Sequence, residues 1–221
     1  MRQIILDTET TGIDPRQGHR IIEIGCIEMV DRKLTKNHFH VYINPDRKVE
    51  VEAFQVHGIS DEYLADKPRF HQVAQEFLNF IQGAELVIHN APFDVGFIDH
   101  EFSLLGNMPK VADVCTVFDT LAFARSKHPG QKNNLNALSK RYGIDTSHRE
   151  LHGALLDSEI LADVYLLMTG GQTTLGLGGE EDDILGSSGL NIRRLSPDRP
   201  MLKVLKATDA ELEVHNERLD L

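Results

Sequence analysis

Hydrophobic and polar positions divide this chain into segments of different period. Ile4, Ile5 and Leu6 form a short unbroken apolar run between Gln3 and an acid, the pattern of a central strand buried on both faces. Arg20 to Val30 reads as a second strand and His38 to Asn44 as a third, in which Phe39, Val41 and Ile43 alternate with polar neighbours. The short connection around Asp31 to Thr35 suits a hairpin, which makes strands two and three antiparallel. The period then changes. Phe70, Val73, Ala74, Phe77, Leu78 and Ile81 follow helical spacing, with Pro68 near the start and Gly83 just past the end. Leu86 to His89 predicts another strand, followed by a helix from about Phe93 to Leu105 that Gly106 stops. Further helices are predicted over Val117–Arg125, Leu135–Tyr142 and Ala154–Met168. Strands in a meander, then strands alternating with helices, imply an α/β fold: a mixed sheet flanked by helices.

The texture changes after Met168. Residues 1–169 read as one catalytic-sized domain, 170–200 as a Gly, Ser and acid-rich flexible linker, and 201–221 as a structured tail. In the tail Thr208 and Glu211 form a capping-box pair, and Leu212 and Leu219 share a helical face. A lone amphipathic helix cannot build its own core, so the tail is expected to dock on a partner.

With 221 residues, 41% hydrophobic and 26% charged, the composition is that of an ordinary globular protein. The first apolar run is far too short for a signal peptide, and no later run reaches membrane-spanning length, so a cytoplasmic protein with no membrane contact is expected. Cys26 and Cys115 belong to no CxxC pair and read as reduced, buried thiols. The net charge of −11 alone argues against a nucleic-acid partner, since phosphate binding rests on Lys and Arg. That objection weakens for an enzyme that grips only a strand end and holds cations among its acids.

Four acids carry the candidate chemistry. Asp7 and Glu9 lie two apart at the end of the first strand, so both carboxylates leave one face, although DTETTG is also good turn composition. Acids so placed repel unless a cation lies between them. Asp94 falls in the first turn of a helix, where an acid also simply suits the helix dipole. Asp157 heads the apolar stripe of Leu161, Val164 and Met168, a costly place for a carboxylate with no ligand. His152, five residues earlier and about 140° around a regular helix, belongs to the preceding loop. Together, acids on three elements with a nearby imidazole suit two-metal phosphodiester hydrolysis. All-oxygen ligation favours two divalent cations, Mg²⁺ or Mn²⁺. An imidazole, titrating near ~6.5 when unperturbed, can accept the proton of the attacking water.

The segments ILDTETTG, HNAPFD and HGALLDSEILADVY, in that order, resemble the three motifs of the DEDDh superfamily of 3′→5′ exonucleases. IIEIG, NHFHVYINPDR, EAFQVHGI, KHPGQKNNL and MTGGQT are similar to its branch that proofreads for bacterial replicative polymerases. The resemblance covers Met1 to about Thr173 and extends weakly into ATDAELEVHNERLDL. It implies a ribonuclease H-like fold that releases nucleoside 5′-monophosphates from a single-stranded or frayed DNA 3′ terminus. It further implies that Asp7, Glu9 and Asp157 hold one cation, that Asp94 with Asp7 holds the second, and that His152 is the general base. Glu52 and His57, loop residues by sequence pattern, match positions that touch the terminal nucleotide along with Asp7, Glu9 and Asp157.

The branch attaches to the polymerase catalytic subunit through its C-terminal tail and also meets a sliding clamp and a small accessory subunit. Gln172, Leu175 and Leu177 resemble a clamp-binding segment without the terminal aromatic anchor, and an ordinary linker is the competing reading. Two other functions fit the same residues: a stand-alone exoribonuclease, and a subunit that mainly stabilises the polymerase.

Overall fold

The computed structural model describes residues 1–146, 151–170 and 208–219. In chain order the elements are β1 (Arg2–Thr10), β2 (Ile21–Val30), β3 (Lys33–Tyr42), α1 (Val51–His57), α2 (Asp61–Leu64), α3 (Phe70–Ile81), β4 (Glu85–Ile88), α4 (Ala91–Leu105), α5 (Val111–Val114), β5 (Thr116–Asp119), α6 (Thr120–Lys127), α7 (Leu135–Tyr142), α8 (Ala154–Thr169) and α9 (Asp209–Leu219). The chain divides into two units, Met1–Thr174 and Leu175–Leu221, and α9 lies in the second. No helix among the described residues is long and apolar enough to cross a membrane. Gln172, Leu175, Leu177 and residues 171–200 of the expected linker lie outside the described residues.

The sheet has the order β3-β2-β1-β4-β5. β1 to β3 form the expected antiparallel meander, turned at Asp31 and Arg32, which both take positive φ as a tight two-residue hairpin requires. β4 and β5 run parallel to β1. The residues at 116–119 correct a prediction. Val117 to Arg125 has helical spacing, but Thr116–Asp119 pairs with β4 and only the remainder is helical. Asp119 makes the break, its carboxylate accepting the Leu121 and Ala122 N–H groups that open α6. A second correction concerns Val51–His57, which is helix α1 rather than loop.

β1 has helices on both faces, and strand parity sorts its side chains between them. Ile4 and Leu6 pack with Phe77, Ile81, Phe97 and Phe102 from α3 and α4. Ile5 faces the other way, onto Leu161, Ala162 and Tyr165 of α8. Each such buried aliphatic chain contributes roughly 1.5–3 kcal/mol. These two layers fix which helix each residue further along β1 will meet.

Candidate active site

Continuing the parity of β1 beyond Leu6 builds the site. Asp7 and Glu9 fall on the Ile5 side, toward α8, and Thr8 falls on the side of α4. Both helices answer with an acid. On the α4 side, Asp94 Oδ1 accepts the Thr8 hydroxyl at 2.7 Å and the Thr8 N–H at 3.1 Å. On the α8 side, the cross-strand neighbour of Asp7 is Gly25, and a Cβ there would stand 2.3 Å from the backbone of Ala154 and Leu155. That missing side chain lets the first turn of α8 settle onto the sheet, where Ser158 Oγ donates to the Gly25 carbonyl at 2.9 Å. Asp157, buried in that turn, is thereby carried to Asp7 and Glu9.

The carboxylates perturb one another as close acids must. The Asp7 carboxyl is held well above its usual range, first by burial and then by the charges of Asp94, Glu9, Asp157 and Glu23. Asp94 is pushed up to about 7, mainly by burial, and its hydrogen bonds from Thr8 oppose the shift. Keeping these groups ionised together calls for positive charge in their midst. Glu9, His152 and Asp157 each offer a ligand atom, all within 4.8 Å of one another. A set this rich in carboxylate oxygen fits a hard divalent cation.

His152 lies in the loop just ahead of α8, as its position in sequence predicts, with Gly153 capping the helix. Its Nδ1 stands 3.1 Å from Asp157 Oδ2, and its backbone N–H donates to the Val56 carbonyl of α1 at 3.2 Å. The ring keeps substantial exposure, with 41% of its side chain accessible against 5% for Asp157. It is therefore placed to meet a solvent molecule entering the acid cluster.

Beside the acids opens a cavity of about 410 Å³, whose walls include Glu9, Thr10, Ile13, Glu52, Val56 and His57. Glu52 and His57 thus reach the site from helix α1. His57 is buried, and its Nδ1 accepts the Ile59 N–H at 3.0 Å, which puts the ring proton of the neutral form on Nε2. Burial lowers its pKa, so it stays neutral near pH 7 and offers an N–H rather than a charge. One acid near the site escaped the sequence reading. Glu23 pairs across from Glu9, is buried, and receives His40 Nε2 at 2.8 Å. A glutamate inside the apolar run IIEIGC was the available signal.

The fold and the acid cluster define an exonuclease: the chain belongs to the Exonuclease (RNase_T) family, whose pattern matches residues 4–165. Its relatives are more specific. It is 55% identical to the DNA polymerase III subunit epsilon of Escherichia coli K12, over the whole of this chain and 93% of that protein. The protein of that name from Rickettsia typhi is 49% identical over the whole chain and 96% of its own length. Among solved structures, Exonuclease X in complex with 5′-overhanging duplex DNA matches with a TM-score of 0.60 and 28% identity, covering 75% of this chain and 90% of that one. A zinc-bound Exonuclease I–single-stranded DNA complex from E. coli has a TM-score of 0.67 at 18% identity, over 75% of this chain and 40% of that one, and shares the fold.

Proposed function

We propose that this nuclease removes nucleotides one at a time from the 3′ end of DNA as the proofreading subunit of a replicative polymerase. The observation that carries the reading is the convergence of Asp7, Glu9, Asp94 and Asp157 from β1, α4 and α8. Asp7, Glu9 and Asp157 would hold one divalent cation and Asp94, with Asp7, a second, Mg²⁺ or Mn²⁺ in the cell. When bound, the pair supplies Lewis-acid stabilisation of the attacking and leaving oxygens. His152 takes the proton of the attacking water at a ring nitrogen, oriented by the Asp157 carboxylate 3.1 Å away. The cavity against α1 seats the terminal nucleotide, with Glu52 and His57 among its walls. The product is a nucleoside 5′-monophosphate.

A frayed mispair delivers a single strand at lower unpairing cost, so selectivity comes from availability rather than from reading the base. The tail joins the polymerase catalytic subunit, and α9 leaves Leu212, Val214 and Leu219 exposed in keeping with that role. Gln172, Leu175 and Leu177 contact the sliding clamp, a small accessory subunit binds elsewhere, and the assembly works in the cytoplasm. Digestion of DNA and RNA oligomers of one sequence, with paired and mispaired 3′ ends, tests the reading. Faster loss of the mispaired DNA terminus supports it, and a strong preference for RNA refutes it in favour of an RNA-trimming enzyme.

A further inference from the structure

A second polar cavity lies along the same edge of the sheet, outside the site described above. β1, β4 and β5 are parallel, so their C-terminal ends share one edge, where α/β proteins place their ligands. The nucleotide cavity opens on the β2 side of β1. On the other side, above the ends of β4 and β5, a cavity of about 450 Å³ is lined by His89, Asn90, Arg125, Gln131, Asn133 and Asn134. Strand β5 lies two spacings from β1, roughly 10 Å, which puts this cavity within reach of a strand threaded through the acid cluster.

Its lining is rich in donors and held in place from behind. Buried Asn133 donates to the His128 and Gln131 carbonyls and accepts from Arg141 Nη1 at 3.1 Å, while Arg141 Nη2 donates to the Lys132 carbonyl. Asn134 caps α7 through its carbonyl oxygen, which leaves its amide N–H₂ available. Asp119, which ends β5 beside this cavity, is engaged by the N–H groups of Asn90, Leu121 and Ala122. Arg125 is distinctive. Every other described arginine of residues 1–170 is held by a carboxylate, a hydroxyl, an amide or a carbonyl, whereas Arg125 makes no hydrogen bond or ion pair with any described residue. In a chain of net charge −11, an unengaged guanidinium among amide donors beside a nuclease site is suited to one ligand class, the phosphodiester.

We propose that this cavity holds a phosphodiester of the substrate strand, one or two linkages upstream of the scissile bond, with Arg125 as its cation. The proposal rests on the exonuclease reading and deepens it. A strand gripped on both sides of the acids has its scissile phosphate fixed between two anchors, which an acidic protein otherwise lacks the charge to achieve.

The test uses the full chain with Arg125→Ala and Arg125→Lys, on two probes. One is a single-stranded DNA oligomer. The other is the p-nitrophenyl ester of thymidine 5′-monophosphate, which has a scissile phosphodiester and nothing upstream. Arg125→Ala is expected to lower kcat/KM on the oligomer about tenfold, mainly through KM, with a loss on the ester at least about fivefold smaller. The lysine variant recovers part of the loss, and the salt dependence on the oligomer falls by about one charge in the alanine variant. An uncharged methylphosphonate at one of the two upstream linkages slows the parent enzyme and costs the alanine variant much less. Equal losses on both probes, no loss on the oligomer, or a methylphosphonate penalty that Arg125→Ala leaves intact would each overturn the subsite. A parent enzyme inactive on both probes would overturn the nuclease reading itself and the subsite with it.

Discussion

Asp94→Asn separates what the acid cluster does for catalysis from what it costs the fold. The Asp94 carboxyl is buried, and its pKa rises from the ordinary 3.8 to about 7 in the cation-free protein. Well below pH 3.8 the group is protonated in both folded and unfolded chains, so the folded state carries no penalty from it. As pH rises toward about 7, the unfolded chain gives up its proton while the fold retains it, so stability is lost across that window and stays lost above it. The difference between 3.8 and about 7 corresponds to on the order of 4 kcal/mol, an upper figure because Asp7, also raised, shares the repulsion. Asparagine resembles the protonated acid in shape, and its Oδ1 can accept both Thr8 donors at 2.7 and 3.1 Å. With chelator present, urea unfolding should therefore show the variant more stable than the parent at pH 8, by roughly 2–4 kcal/mol, and nearly equal to it at pH 4. Its exonuclease activity should be lost over the same pH range. A variant less stable than the parent at pH 8, or a difference that does not change with pH, would refute the reasoning.

Other expectations follow from the same geometry. Mg²⁺ or Mn²⁺ should raise the Tm of the parent protein, more at pH 8 than at pH 6, because binding displaces protons from Asp7 and Asp94; calorimetry in buffers of different ionisation enthalpy would register their release. Gly25→Ala should cost about 1–3 kcal/mol and much of the activity, since its Cβ meets α8 backbone that cannot swing aside as a side chain can; an active variant of parental stability would contradict the packing account. Asp7→Ala should abolish activity while keeping the circular dichroism of the fold, and with chelator present should not lower its Tm.

Much of this was legible in the sequence, and the exceptions have physical causes. Helix α3 was legible, because the apolar positions from Phe70 to Ile81 form an unbroken helical stripe, which the fold buries. Helix α1 was not. Its large apolar residues Val51, Phe54 and Val56 are all exposed and it fully buries only His57, so it carries no buried apolar stripe. β5 was hidden because Val117, Phe118 and Leu121 satisfy helical spacing, and pairing with β4 decided otherwise. At the site, the two-residue period of a strand was enough to place Asp7 and Glu9 on one face. No local pattern could show that Thr8 would meet Asp94, or that Gly25 is the gap through which α8 delivers Asp157. Those depend on the order of strands and helices in space.

The most direct measurement is single-turnover digestion of a 5′-labelled DNA oligomer in Mg²⁺, in Mn²⁺ and in EDTA, beside Asp157→Asn and His152→Ala. The account predicts a ladder that shortens one nucleotide at a time from the 3′ end, needs a divalent cation, releases nucleoside 5′-monophosphates and collapses in both variants. Cleavage that persists in EDTA, or that survives Asp157→Asn at the parental rate, would contradict it.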